Sequence, residues 1–98
     1  MYKVIHSEEA KKDRKQILKW YHNITPQLAI RFNDEIENTT HFIAKHPYTA
    51  QNITPNIRKT PISKTFPYYV IYKIDENQNT ILILTIRHYK REKLALEN

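Results

Sequence analysis

Arg87, His88, Tyr89, Lys90 and Arg91 follow one another near the end of the chain. They offer three permanent cations, an imidazole and a phenol. A guanidinium grips a phosphate or carboxylate through two parallel hydrogen bonds. An imidazole, with an ordinary pKa of about 6.5, can give or take a proton near neutrality. A phenol ring can stack on a splayed base. Arg58, Lys59 and Lys64 add three more cations earlier in the chain. The partner that suits such a set is anionic: nucleic acid, a ribosome or an acidic protein segment.

Composition narrows the chemistry further. The chain has 98 residues and a formal net charge of +6. Residues 50–98 hold eight Lys/Arg against four Asp/Glu, whereas residues 1–49 hold eight against six. The positive excess therefore sits mostly in the second half. Cysteine is absent, which excludes disulfides and thiol catalysis. Glycine is absent too. Phosphate loops and dinucleotide fingerprints need glycine for close backbone approach, so no nucleotide cofactor is expected. His41 and His46 are five residues apart, which does not bring them to one helix face, and no metal site is expected. The N-terminal stretch lacks the apolar run of a signal peptide, and no segment has the ~18 apolar residues of a membrane span. A cytoplasmic protein with no membrane partner is expected.

The elements that must position these groups can be read in order. Tyr2 to His6 is a short β-prone run. Ser7, followed by Glu8 and Glu9, marks a helix start that runs to about Tyr21. Ala10, Ile17, Trp20 and Tyr21 give it an apolar stripe, and Trp20, Tyr21 and Phe32 are expected in the core or between the helices. A turn is expected at His22–Thr25, and Pro26 after Thr25 starts a second helix. Leu28, Ala29, Phe32, Ile36, Thr39 and Ile43 recur at helical spacing until Pro47 stops it near His46. Residues 47–56 read as a loop. Strands are expected at Ile57–Lys64, with Pro61 marking an edge or a bulge, at Tyr68–Ile74 and at Thr80–Arg87. Asp75–Asn79 is a polar turn, and Glu92–Asn98 a short helix or a frayed tail. The last two strands are apolar on both faces, which places them centrally or under cover on both sides. The predicted fold is α+β, one domain over residues 1–98. It has an N-terminal strand, a helical hairpin and a three-stranded antiparallel meander (β-α-α-β-β-β), with the helices on one face of the sheet.

Several phrases carry a family resemblance across nearly the whole chain: MYKVIHSEEA at the start, AIRFNDEI from Ala29 to Ile36, His46-Pro47, Arg58, Phe66-Pro67-Tyr68 leading into Tyr72, and His88-Tyr-Lys-Arg91. In this order they resemble the RelE/ParE superfamily of toxins from bacterial type II toxin–antitoxin systems. The resemblance implies a growth-inhibiting toxin held in a hetero-oligomer by a cognate acidic antitoxin. Two activities are then open. RelE-like members cut mRNA in the ribosome, and ParE-like members poison DNA gyrase.

For a metal-independent endoribonuclease, His88 would move protons. Arg58, Arg87 and Arg91 would hold phosphate oxygens, and Tyr89 would stack on a base. For a binding toxin, Arg58, Lys59, Lys64, Arg87, His88, Lys90 and Arg91 would meet the target or the antitoxin. RelE-like nucleases usually carry an arginine where this chain has Tyr69, and basic residues where it has Thr60 and Ile62. The FPY and HxxR phrases favour the ParE-like branch. A basic nucleic-acid-binding module unrelated to toxicity is the third reading.

Overall fold

The computed structural model describes residues 1–90. Arg91 and the tail expected at Glu92–Asn98 lie outside the described residues. The elements are β1 (Lys3–His6), α1 (Glu8–Ile24), α2 (Pro26–Lys45), β2 (Gln51–Asn52), β3 (Ile57–Pro61), β4 (Tyr68–Asp75) and β5 (Thr80–His88). The sheet runs β1-β5-β4-β3-β2. The expected α+β order holds, with a two-residue strand, β2, added inside the expected 47–56 loop. The sheet is mixed: β1 lies parallel to β5, and every other pair is antiparallel. The helical hairpin carries the chain back across the sheet, so β1 and β5 can run the same way.

α1 does not stop at Tyr21. It continues through His22, Asn23 and Ile24, and one residue, Thr25, joins the helices. The break comes from Pro26, which forces the residue before it into extended backbone. Thr25 accordingly sits at φ −150°, ψ 144°. Its N–H donates to Tyr21 O at 2.9 Å, closing α1, and its Oγ1 accepts from Leu28 N at 3.2 Å, opening α2. Pro47 follows His46, whose N–H closes α2 on Phe42 O at 2.9 Å.

Ser7 joins the first helix to the sheet. Its Oγ accepts from Ala10 N at 3.0 Å and donates to Leu84 O at 2.8 Å, while its N–H reaches Ile83 O at 2.9 Å. Leu84 is the extra residue where the β4–β5 register slips: Ile71 faces Thr85, but Tyr72 faces Ile83. β1 ends at this bulge, with His6 opposite Ile83.

Ala10, Ile17, Phe32, Ile36 and Ile43 from the helices meet Val70, Tyr72, Ile74, Ile81, Ile83 and Ile86 from the sheet. The Tyr72 hydroxyl, inside this core, donates to Pro47 O at 2.7 Å. Burial pushes its pKa up to about 12. β3 stops at Pro61, three residues short of the expected Lys64, because proline has no N–H to continue a ladder. β4 and β5 each run one residue further than expected, to Asp75 and His88.

Without glycine, the β4–β5 turn uses Asn79 in the left-handed region, at φ 51°. Its carbonyl accepts from Lys3 N at 3.1 Å, so this turn also seats β1. Asn79→Val is expected to cost about 1–2 kcal/mol, since a β-branched residue strains there, while Asn79→Gly keeps stability. Urea titration of the two variants measures the difference.

Glu76 in the same turn accepts from both the Tyr2 and Tyr48 hydroxyls. The bond from Tyr2, then that from Tyr48, holds the Glu76 carboxyl below its ordinary 4.5. A carboxylate favoured by folding contributes stability above its unfolded pKa and loses it as the pH falls through the lowered folded value. The melting temperature of wild type is therefore expected to fall below pH 4.5 more steeply than that of Glu76→Gln.

Candidate target-binding surface

Of the basic groups expected at one sheet margin, Arg87, His88 and Lys90 line one cleft at the end of β5, while Lys59 and Arg58 stand elsewhere. Arg87 lies opposite Tyr69 and His88 opposite Tyr68. Alternation along β4 turns Val70 and Tyr72 to the helices with Tyr68, and Tyr69 to the other face. On that open face the rings of Tyr69 and Tyr89 meet at 4.6 Å, tilted by 39°. Lys59, opposite Ile71 in β3, brings its Nζ to 4.7 Å over Tyr69.

His88 belongs to the helix side. Its ring meets Tyr68 edge-on at 5.2 Å, and its Nδ1 accepts from Lys90 N at 3.1 Å. The neutral imidazole therefore carries its proton on Nε2. Tyr68 belongs in turn to an aromatic cluster with Tyr21, Phe32 and Phe66. Burial first, then the neighbouring Tyr68 phenol, pushes the Tyr21 pKa up to about 12.

Arg58 stands apart from both groups. Its Nη1 donates to Tyr48 O at 3.0 Å and Ala50 O at 2.8 Å, and its guanidinium lies 5.0 Å over the Tyr48 ring. It pins the chain between α2 and β2 through Nη1. Lys64 is exposed in the loop before β4.

A cleft of about 570 Å³ opens between α1 and the last turn of β5. Asp13, Gln16, Ile17, Trp20 and Tyr21 form one wall. Tyr68, Ile86, Arg87, His88 and Lys90 form the other. The cleft exists because β1 is short. Past the bulge, β5 has no strand on that side, and α1 supplies Asp13 instead. Its Oδ2 accepts from Ile86 N at 3.0 Å and from the Thr85 hydroxyl at 2.6 Å. Asp13 thus stands in for a ladder partner at a sheet edge.

Trp20 was expected in the core, yet it is 61% exposed on the rim of this cleft. α1 turns Ile17 and Tyr21 towards the sheet, and Trp20 falls just outside the buried arc. Sequence reasoning missed Asp13, Gln16 and Tyr68 as site residues. The one available signal was Asp13 itself, a lone carboxylate in the cationic run Lys11–Lys15.

Several solved structures share this arrangement. The chromosomal ParDE system from P. aeruginosa superposes with a TM-score of 0.73 at 16% identity, covering 90% of this chain and 96% of that one. The isolated RelE toxin of E. coli gives 0.67 at 11% identity, covering 99% and 94%. The RelBE2 toxin–antitoxin complex from Mycobacterium tuberculosis gives 0.61 at 18% identity, covering 89% and 96%. The fold is therefore that of the RelE/ParE toxins. No curated protein matches the sequence. The profile of the ParE toxin of the type II toxin–antitoxin system parDE matches residues 4–93, and the chain belongs to this family.

Proposed function

We propose that this toxin acts by binding rather than by chemistry, that its target is DNA gyrase, and that an acidic antitoxin neutralises it in the bacterial cytoplasm. The observation that carries the reading is that Arg58 is held apart from the cleft that Arg87 and His88 line. Cutting RNA needs a base, an acid and a stabiliser of phosphorane charge around one phosphate. Here Arg87, His88 and Lys90 line one cleft, while Arg58 sits away from it on the carbonyls of Tyr48 and Ala50. The net charge of +6 suits an acidic antitoxin segment that folds as it wraps the toxin.

Pulsed expression in bacteria tests the reading. Gyrase poisoning predicts a DNA-damage response with filamentation while messages stay intact. Rapid arrest of translation, with mRNA cut at ribosomal positions and the cutting lost in His88→Ala, would overturn it in favour of a ribosome-dependent endoribonuclease. Tight, steeply salt-dependent binding to naked duplex without either response would favour the nucleic-acid module.

A further inference from the structure

α1 carries more apolar surface than the fold uses. Asp13, Ile17, Trp20 and Ile24 recur at spacings of four, three and four, which sets them on one face of the helix. Ile17 is buried, but Trp20 and Ile24 continue the same line into solvent, at 61% and 55% exposure. Side chains this exposed add little to folding there. Tryptophan is also the residue type that most often anchors a protein interface.

The facing wall is polar and cationic. Arg87 Nε is buried without a hydrogen-bond acceptor. His88, with Nδ1 engaged by Lys90 N, presents a ring whose other nitrogen is the donor. Lys90 stands beside them. Among the described residues the only carboxylate in the lining is Asp13, whose Oδ2 already serves Thr85 and Ile86. The cleft volume of about 570 Å³ suits one large side chain and a neighbouring carboxylate.

We propose that this cleft is where the toxin takes hold of its target protein. It receives an acidic segment bearing one aromatic or large aliphatic side chain. The apolar group packs against Trp20 and Ile86, and the carboxylate meets Arg87, His88 and Lys90. The inference rests on the binding-toxin reading above and assigns that reading its contact surface.

The chain has a single tryptophan, so growth on 5-fluorotryptophan places one 19F probe at Trp20. Adding intact DNA gyrase is expected to broaden or shift that resonance at the concentrations that inhibit supercoiling. Trp20→Ala is expected to raise the inhibitory concentration about 30-fold, a hot-spot loss of about 2 kcal/mol at 1.4 kcal/mol per tenfold. Its melting curve should stay close to wild type, because the side chain is exposed. Phe42→Ala removes an exposed aromatic outside the cleft and should inhibit as wild type does. Inhibition by Trp20→Ala at the wild-type concentration would overturn the inference. So would an unmoved resonance under full inhibition, or a resonance that responds to the cognate antitoxin and not to gyrase. A wild-type chain that leaves supercoiling intact removes the functional reading, and this inference with it.

Discussion

Replacing Phe32 by alanine is expected to lower the unfolding free energy by about 3–5 kcal/mol. Phe32 is 0% exposed, and its ring packs at 5.3 Å from Phe66, 5.6 Å from Tyr21 and 5.6 Å from Tyr68. These four rings come from α1, α2, the loop before β4 and β4 itself, so the cluster ties the helical hairpin to the sheet. It also forms the floor under the cleft, through Tyr21 and Tyr68. A domain of this size has only about 5–15 kcal/mol to lose and stands near the lower end of that range. The alanine variant should therefore be partly unfolded at 37 °C and should lose toxicity for that reason. Phe32→Leu keeps most of the volume but forfeits edge-to-face pairs, worth about 0.5–1.5 kcal/mol each, and should fall between. Denaturant titration gives all three stabilities. A loss under 1 kcal/mol for alanine would mean that the cluster is not the keystone of the packing.

Asp13→Ala is the second large effect, expected at about 2–3 kcal/mol. It strips two charge-assisted hydrogen bonds from β5 and leaves the Ile86 N–H unpaired where no strand can replace the acceptor. The damage should be local as well as global. Amide exchange at Ile86 should accelerate more than exchange at Ile81 or Ile83, which lie in the stretch of β5 paired with β1. Asp13→Asn retains an acceptor and should recover about half of the loss. In a Thr85→Val background the cost of Asp13→Ala should shrink, since one of its two partners is already gone. Equal costs in both backgrounds would show that the Thr85 contact does not contribute.

Much of the fold was legible because strong local signals agreed with each other. Ser7, Pro26 and Pro47 mark three helix ends, and Ala29, Phe32, Ile36, Thr39 and Ile43 trace the buried face of α2. The errors have physical causes. His22–Ile24 looked like a turn from composition, but the break needed only Thr25 before Pro26. β2 is two residues long and forms only because β3 offers an edge, which no local pattern announces. The parallel pairing of β1 with β5 is a long-range choice that short strands do not encode alone.

The site was harder to read than the fold. A run such as Arg87-His88-Tyr89 looks like one cluster in sequence, yet Arg87 and His88 line the cleft while Tyr89 meets Tyr69 on the open face of the sheet. The grip of Arg58 on Tyr48 O and Ala50 O could not be foreseen, because those acceptors come from a loop whose path no local pattern gives. Trp20 shows the converse. Its helical phase differs little from that of buried Ile17, and only the position of the sheet decides which one is covered.

The most direct test of a toxin that binds without cutting is a paired assay on the purified chain. It is added at one concentration to gyrase with relaxed plasmid, and to translating ribosomes with a defined message. The account predicts that supercoiling fails and the message survives intact. A cleaved message beside normal supercoiling would contradict it.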